Sequence, residues 1–359
     1  MKKICILVGA RPNFVKVAPL IRAIAGSDGA TCKLLYAGRA DDPTLEPSLF
    51  SDLQMPPPDV FLDVDSSRLN EITSLVMSRF DDYLEHEPAD VVIVVDDLAS
   101  TMAAAIVAKK RGLTLAHLVA GTRSFDMAMP KEVNRLVIDA LSDYLFTAGS
   151  KSSSVASREQ SDGANTYMVG NILMDTLRFC RPRLRKPAVG TIGEGGYIVL
   201  TINRRALLAD EEKLGRLLVA LAGAAATTPI LAPLRGQARS VAESLMGRSP
   251  LLASRLTLLP PLPYLEFGWL SAHALGIVTD SGNVAEEATF NGVPCITLNS
   301  YTEHQETVAT GTNMLVGEDP QRLAGAVALM VGGQWKKGSL PERWDGRTAE
   351  RILSILLGA

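Results

Sequence analysis

Residues 90–100 read Asp90-Val91-Val92-Ile93-Val94-Val95-Asp96-Asp97-Leu98-Ala99-Ser100, five β-branched apolar residues running straight into two acids and a small-residue stretch. A strand with one wet face would alternate apolar and polar residues. This one does not, as expected of a parallel strand covered by helices on both faces. Upstream, Lys3–Val8 is a second apolar strand, and the turn Gly9–Pro12 leads into a helical stretch through Ala25. Cys32–Ala37 reads as a strand and Ile72–Leu84 carries helical spacing. Downstream, Thr101–Arg111 is helical, Leu113–Val119 a strand, Lys131–Leu141 a helix and Tyr144–Ala148 a strand. This βαβα succession predicts a parallel, doubly wound sheet.

The pattern then breaks. Arg181–Gly196 contains two Pro, four Gly and a basic cluster, cannot continue a helix, and reads as an interdomain linker. A second βα series follows, with strands at Tyr197–Thr201, Pro229–Ala232, Leu256–Leu259, Ala274–Thr279 and Pro294–Leu298. Helices are expected at Glu211–Ala222, Asn283–Phe290, Pro320–Met330 and Thr348–Leu357. The division is therefore an N-terminal Rossmann-like domain over 1–180, a second one over 181–335, and a C-terminal helix over 336–359 that crosses back to the first domain. Two such domains facing each other form a cleft, with ligands at the carboxyl ends of the strands.

Composition excludes several classes. A chain of 359 residues is long enough for two domains, each with its own core. With 36 Lys+Arg against 39 Asp+Glu, the formal charge of −3 argues against a nucleic-acid partner. The four cysteines, Cys5, Cys32, Cys180 and Cys295, are scattered without a CxxC pair, which fits a reducing compartment. No apolar run reaches the roughly 18 residues of a membrane span. The start, MKKICILVGARP, is too short in its apolar part for a signal peptide and lacks a cleavage site, so the protein is expected in the cytoplasm. Acids and histidines show no metal-ligand spacing, and no metal or cofactor is expected.

Candidate chemistry lies in the turns after strands. Arg11 and Lys16 flank the start of the first helix, where unpaired N–H groups favour an anion. Of the paired acids, Asp96 reads as a helix N-cap and Asp97 as the better functional candidate. Lys131 and Arg135 are four apart and share a helix face, which is either a solvated face or an anion site. The strongest local signal is Thr279-Asp280-Ser281-Gly282-Asn283-Val284-Ala285-Glu286-Glu287, where an apolar strand meets a helix start. Its Ser-Gly pair offers a hydroxyl and close N–H donors to a diphosphate, and Glu286 or Glu287 can accept from ribose hydroxyls. Helix capping by Asp280 or Ser281 is the plainer alternative.

The ordered series GARPNFVK, DDLAS, HLVAGTRS, PKEVNR, VGNILMDTL, TINRR, YLEF, TDSGNVAEEA and YTEHQETVATGT covers nearly the whole chain. It resembles the non-hydrolysing UDP-N-acetylglucosamine 2-epimerase family. The resemblance implies two Rossmann-like domains of the glycosyltransferase-B type with UDP held mainly by the second. It also implies a homodimer, no cofactor, and a place in cell-surface polysaccharide biosynthesis. Family members invert carbon 2 of a UDP-sugar by eliminating UDP and adding it back, which needs a positioned base and acid.

Laid on this sequence, the family's Asp is retained as Asp97. The Glu of its HVEAGLR motif is Val119, the first Glu of PEExNR is Lys131, and the His of THRRE is Asn203, followed by Arg204. The Arg of TERPE is His304, a nearby family Arg is Asn299, and the TGQH segment is Ala37-Gly38-Arg39-Ala40. Arg11, Lys16, Arg135, Ser281, Gly282 and Glu287 match ligand-contacting positions, and Phe267 matches the aromatic that packs on uracil. Asn283 replaces the second Gly of the family's SGG. The resemblance thus implies a kept UDP or UDP-sugar pocket with Asp97, Lys131 and Asn203 at an altered reaction centre. Three activities stay open: a family-type epimerase, a glycosyltransferase or UDP-sugar hydrolase on the same scaffold, and a non-catalytic UDP-sugar-binding protein.

Overall fold

The structure, a computed structural model, describes residues 1–188 and 196–358. It divides into two compact units: Met1–Cys180 with Glu342–Ala359, and Arg181–Pro341. In the first unit the strands are β1 (Lys2–Val8), β2 (Ala30–Tyr36), β3 (Val60–Phe61), β4 (Val91–Val95), β5 (Thr114–Leu118), β6 (Tyr144–Thr147) and β7 (Asn165–Met168). They form one parallel sheet in the order β3-β2-β1-β4-β5-β6-β7. β4 sits in the middle, with Ile6 opposite Ile93 and Leu7 opposite Val94. All five of its residues are buried, which accounts for the unbroken apolar run. Val92 and Val94 join Cys5, Leu7 and the small residues Ala103 and Ala104 of the following helix in one core. The alanines let that helix lie close on the sheet.

The second unit contains β8 (Ile198–Thr201), β9 (Ile230–Ala232), β10 (Leu256–Leu258), β11 (Gly276–Thr279), β12 (Cys295–Thr297) and β13 (Asn313–Leu315), all parallel. Their order is β10-β9-β8-β11-β12-β13. Ile198 and Leu200 pack into one core, and Tyr197 and Val199 into another on the opposite face. That alternation is the period-two geometry of a strand buried on both sides.

Sequence order reverses at β1/β4 in the first sheet and at β8/β11 in the second. In an open parallel sheet such a switch point leaves a crevice at the strands' carboxyl ends, because the flanking connections leave in opposite directions. The fold therefore brings the turns after β1 and β4 together in one unit, and those after β8 and β11 together in the other.

Several elements exceed the sequence expectation. β3, β7 and β13 are short, and β3, β7 and β13 all lie at sheet edges, where few apolar residues mark them. The helix Ser150–Glu159 is polar apart from a buried Ala156. Helix Ile172–Cys180 ends in a 3₁₀ turn, Arg181–Arg183. The rest of the expected linker falls partly on 189–195, which lie outside the described residues. The second unit runs to Pro341, past the 335 expected, because Lys336 donates to the Val308 carbonyl at 2.6 Å and the Ser339 N–H to Thr310 at 2.9 Å. Helix Thr348–Leu357 packs on helices Arg11–Ala25 and Ile172–Cys180 of the first unit. The Asp175 carboxylate accepts the Thr348 and Ala349 N–H groups at its start, at 3.1 and 2.8 Å.

Candidate functional site

In the first unit, the turn after β1 begins with Gly9. A Cβ there would stand 2.0 Å from the Ser100 hydroxyl, so only glycine lets this turn approach the helix after β4. Asn13 accepts the Gly9 and Ala10 N–H groups through Oδ1, at 3.0 and 3.2 Å, and its Nδ2 donates to Asp96 at 2.8 Å. Lys16 is buried and donates to the other Asp96 oxygen at 2.6 Å. Asp96 is thus not the N-cap expected from the sequence. The helix begins at Ala99 with Leu98 at the cap, while Asp96 has φ +59° and points its carboxylate at the first helix. Arg11 pairs with Glu46 at 2.6 Å.

Asp97 is buried beside the helix that follows β5. Arg135 reaches its Oδ2 with Nη2 at 2.6 Å and Nε at 2.9 Å. Lys131, on the same helix face, lies 3.1 Å from Oδ1, and Asn134 donates to the Asp97 carbonyl at 2.8 Å. Burial by itself would raise the Asp97 pKa; the charges of Lys131 and Arg135 outweigh it and hold the carboxyl below its ordinary value. The adjacent Glu132 is committed elsewhere: it accepts from Ser124 N, Ser124 Oγ and Phe125 N and pairs with Arg135 at 3.0 Å. Burial of Glu132 is likewise outweighed by these bonds, so its pKa is lowered too. Val119 ends the neighbouring strand turn at φ +68°, a region that β-branched residues seldom adopt.

In the second unit, the chemistry gathers around Asp280. Its carboxylate accepts the Asn203 N–H at 2.8 Å and the Arg204 N–H at 2.7 Å, tying the turn after β8 to the turn after β11. It is therefore not a helix cap. Ser281 occupies the N-cap position of helix Gly282–Asn291, but no side chain makes a cap bond there. The leading N–H groups of that helix have no intrahelical acceptor, by the geometry of any helix start. A Cβ on Gly282 would meet the His304 ring at 3.0 Å, so glycine is what lets the ring lie over the helix start. His304 Nδ1 is 2.9 Å from the buried carboxylate of Glu286, and Glu287 is also buried. Asn283 is half-buried at the second helical position. Phe267 and Val284 both pack against the core that Ala285 and Ala288 of this helix join. Arg204 pairs with Glu318 and donates to the Leu298 carbonyl at 3.2 Å, and Asn299 donates to the Asp280 carbonyl at 3.3 Å.

The structure thus brings Asp97, Lys131 and Arg135 together, with Lys16 one residue away through Asp96. It separately gathers Asn203, Arg204, Ser281, Gly282 and His304. The first group joins a carboxylate to two cations, and so can hold an anion and move a proton. The second is a helix start with a histidine above it, suited to a phosphate. Sequence reading missed Asn134 and Glu132, which lay inside the quoted PKEVNR stretch. It also missed Asp280 as a clamp, because the residues it joins are far apart in the chain.

The family model described as UDP-N-acetylglucosamine 2-epimerase matches residues 22–357. The chain is 32% identical over 318 residues to a UDP-2,3-diacetamido-2,3-dideoxy-D-glucuronate 2-epimerase of Pseudomonas aeruginosa, covering 88% of each chain. It is 30% identical over 365 residues to a UDP-N-acetylglucosamine 2-epimerase of Methanocaldococcus jannaschii, covering 99% of this chain and 98% of that one. A solved structure of the Methanocaldococcus jannaschii UDP-GlcNAc 2-epimerase, in complex with UDP-GlcNAc and UDP, superposes with TM-score 0.82 and 28% identity over 99% of this chain and 100% of that one. The two Rossmann-like units are of the glycosyltransferase-B type.

Proposed function

We propose that this chain, which belongs to the UDP-N-acetylglucosamine 2-epimerase family, binds a UDP-N-acetylhexosamine and acts at carbon 2 of its sugar through the pair Asp97 and Lys131. The observation that carries this reading is the 3.1 Å contact between the Lys131 ammonium and the Asp97 carboxylate. Elimination requires a base to take the C2 proton while the C1–O bond breaks and its electron pair leaves with UDP. Asp97, held ionised, is the acceptor for that proton. Return of UDP to C1 requires a proton at C2, which the Lys131 ammonium, on a side chain 55% exposed and able to swing away from Asp97, donates on the other face. Once product leaves, the re-formed contact lets the proton pass from Asp97 to Lys131 and resets both groups. The lowered pKa makes Asp97 a weak base, so a slow reaction is expected.

The departing diphosphate is assigned to the Ser281–Gly282 helix start with His304, and Arg11, Lys16 and Arg135 are assigned to substrate binding in the first unit. Asn203, Arg204 and Asn283 border the same helix start. Phe267 and Glu287 are assigned to the nucleoside. The proposal makes the protein a cytoplasmic homodimer serving cell-surface polysaccharide biosynthesis, as its kinship supports. Sedimentation at twice the chain mass tests the dimer.

Incubation with UDP-N-acetylglucosamine in D₂O tests the activity. Deuterium at C2 and a manno product are expected, both abolished by Lys131→Met and by Asp97→Asn. Neither signal in the wild type refutes the reading. A second reading has its own observation: Val119 has no titratable group and Glu132 is committed to its loop, leaving Asp97 as the working carboxylate. Glycosyl transfer or hydrolysis needs no C2 exchange, and its signature is free UDP with C2 hydrogen retained. UDP-sugar binding with neither signature would identify a binding protein.

A further inference from the structure

We propose that His117 and Asn134 are positioning residues for Asp97, and that His117 acts in this role with both ring nitrogens protonated; the assignment rests on the proton-transfer role proposed for Asp97. The His117 Nε2 lies 2.9 Å from the Asp96 carbonyl oxygen. That carbonyl belongs to the peptide joining Asp96 to Asp97. Asn134 Nδ2 donates to the Asp97 carbonyl at 2.8 Å, which belongs to the peptide joining Asp97 to Leu98. Peptide groups are planar, so clamping the two planes that flank one Cα fixes both of its dihedrals and hence the direction of its side chain. Asp97 is aimed at Arg135 and Lys131 by this clamp. Asp96 sits at φ +59°, a conformation that persists only where surrounding bonds enforce it, here the His117 contact on its carbonyl and the bond from its own N–H to the Leu118 carbonyl at 3.3 Å.

The protonation follows from the partners. A carbonyl oxygen only accepts, so Nε2 carries a proton. Nδ1 lies 2.6 Å from Asp139 Oδ1. The other Asp139 oxygen receives Arg123 at 2.7 Å and the Gly121 N–H at 3.0 Å. Two donors independent of His117, the Arg123 guanidinium and the Gly121 N–H, converge on that oxygen and favour the ionised carboxylate. An ionised carboxylate only accepts, so Nδ1 carries a proton as well, whereas a neutral imidazole has one N–H. The charged groups facing the ring are Asp96, which Lys16 holds, and Asp139, which Arg123 shares with Glu159; the Glu159 side chain is 29% exposed and also pairs with Arg158 at 3.1 Å.

The test uses the full chain labelled with ¹⁵N-histidine. There are four histidines, and the signals lost in His117→Gln assign the residue. At pH 7 both His117 ring nitrogens are expected to show attached protons; one protonated and one bare nitrogen overturns the protonation. The positioning role is read from His117→Gln and Asn134→Ala. In each, kcat is expected to fall about 100-fold, the loss typical of an ångström-scale misplacement, with KM within about twofold. In each, the ¹³C carboxyl titration of Asp97 is expected to move upward as Arg135 and Lys131 lose their hold. A lower melting temperature with unchanged kcat and unchanged Asp97 titration means a structural role only and overturns the proposal. If His117→Gln does not fold, Asn134→Ala alone decides. If the wild type shows no turnover, the function reading fails, while the two NMR readouts still decide this one.

Discussion

Asp97→Asn tests the arrangement of the first unit most directly, since the substitution keeps shape and removes one charge. Arg135 has 6% of its side chain exposed and Asp97 12%, so their contact is a buried pair, whereas Lys131 is 55% exposed. Breaking a buried pair from one side costs about 3–5 kcal/mol, because the remaining charge is left buried and unpaired. Arg135 keeps Glu132 at 3.0 Å, which holds the loss at or below the lower end of that range. The solvent-screened Lys131 contact adds at most about 1 kcal/mol. A loss of about 2–3 kcal/mol is expected at pH 7. In a domain of about 150–250 residues this lowers Tm by about 4–12 °C.

The pH dependence sharpens the test. The folded pKa of Asp97 lies below its ordinary value of 3.8. Its contribution is therefore full above the unfolded value and is lost as pH falls through the lowered folded value. The gap between wild type and Asp97→Asn should be widest at pH 7 and should narrow as pH drops below 3.8. Thermal unfolding followed by circular dichroism from pH 7 to pH 3 measures it. A gap under about 0.5 kcal/mol at pH 7, within the range of ordinary surface changes, would refute the reasoning. So would a gap that stays constant to the acid end.

Lys131→Met should raise the Asp97 pKa, since Lys131 is the foremost of the charges lowering it, while changing stability by no more than about 1 kcal/mol for a pair with one solvated partner; an Asp97 carboxyl titration left unmoved would contradict the contact. Val119→Gly should leave Tm nearly unchanged, because relief of about 1–2 kcal/mol of left-handed strain offsets the lost apolar contact and the added chain entropy; a loss beyond about 2 kcal/mol, the size of an ordinary core deletion, would show that Val119 is unstrained. Gly282→Ala places a Cβ 3.0 Å from the His304 ring, which Glu286 holds; calorimetry should show UDP binding weakened about tenfold, or about 1.4 kcal/mol, and unchanged affinity would separate His304 from the nucleotide.

Some of this protein was legible in the chain and some was not. The five apolar residues before Asp96 determined a doubly covered parallel strand, since a strand with a wet face would carry polar residues at alternate positions. The same logic gave the other central strands to within two residues. The edge strands β3, β7 and β13 escaped because short, half-wet elements carry little apolar signal. At the sites, residue types and ordered motifs indicated Asp97, Lys131, Arg135 and the Ser281–Gly282 helix start. They did not reveal the partners, because hydrogen bonds join residues by direction and distance, which sequence separation does not encode. Asp96 shows the difference. By sequence it is an acid before a helix, and so a cap; folded, its left-handed backbone turns the carboxylate toward Lys16 and Asn13. His117 shows it again, for only the tertiary structure sets an imidazole between the Asp139 carboxylate and the carbonyl before Asp97. The sequence by itself determined which groups are present at the strand ends. The packing of distant turns at the two switch points decided which of them meet, and therefore which carry charge and which hold others in place.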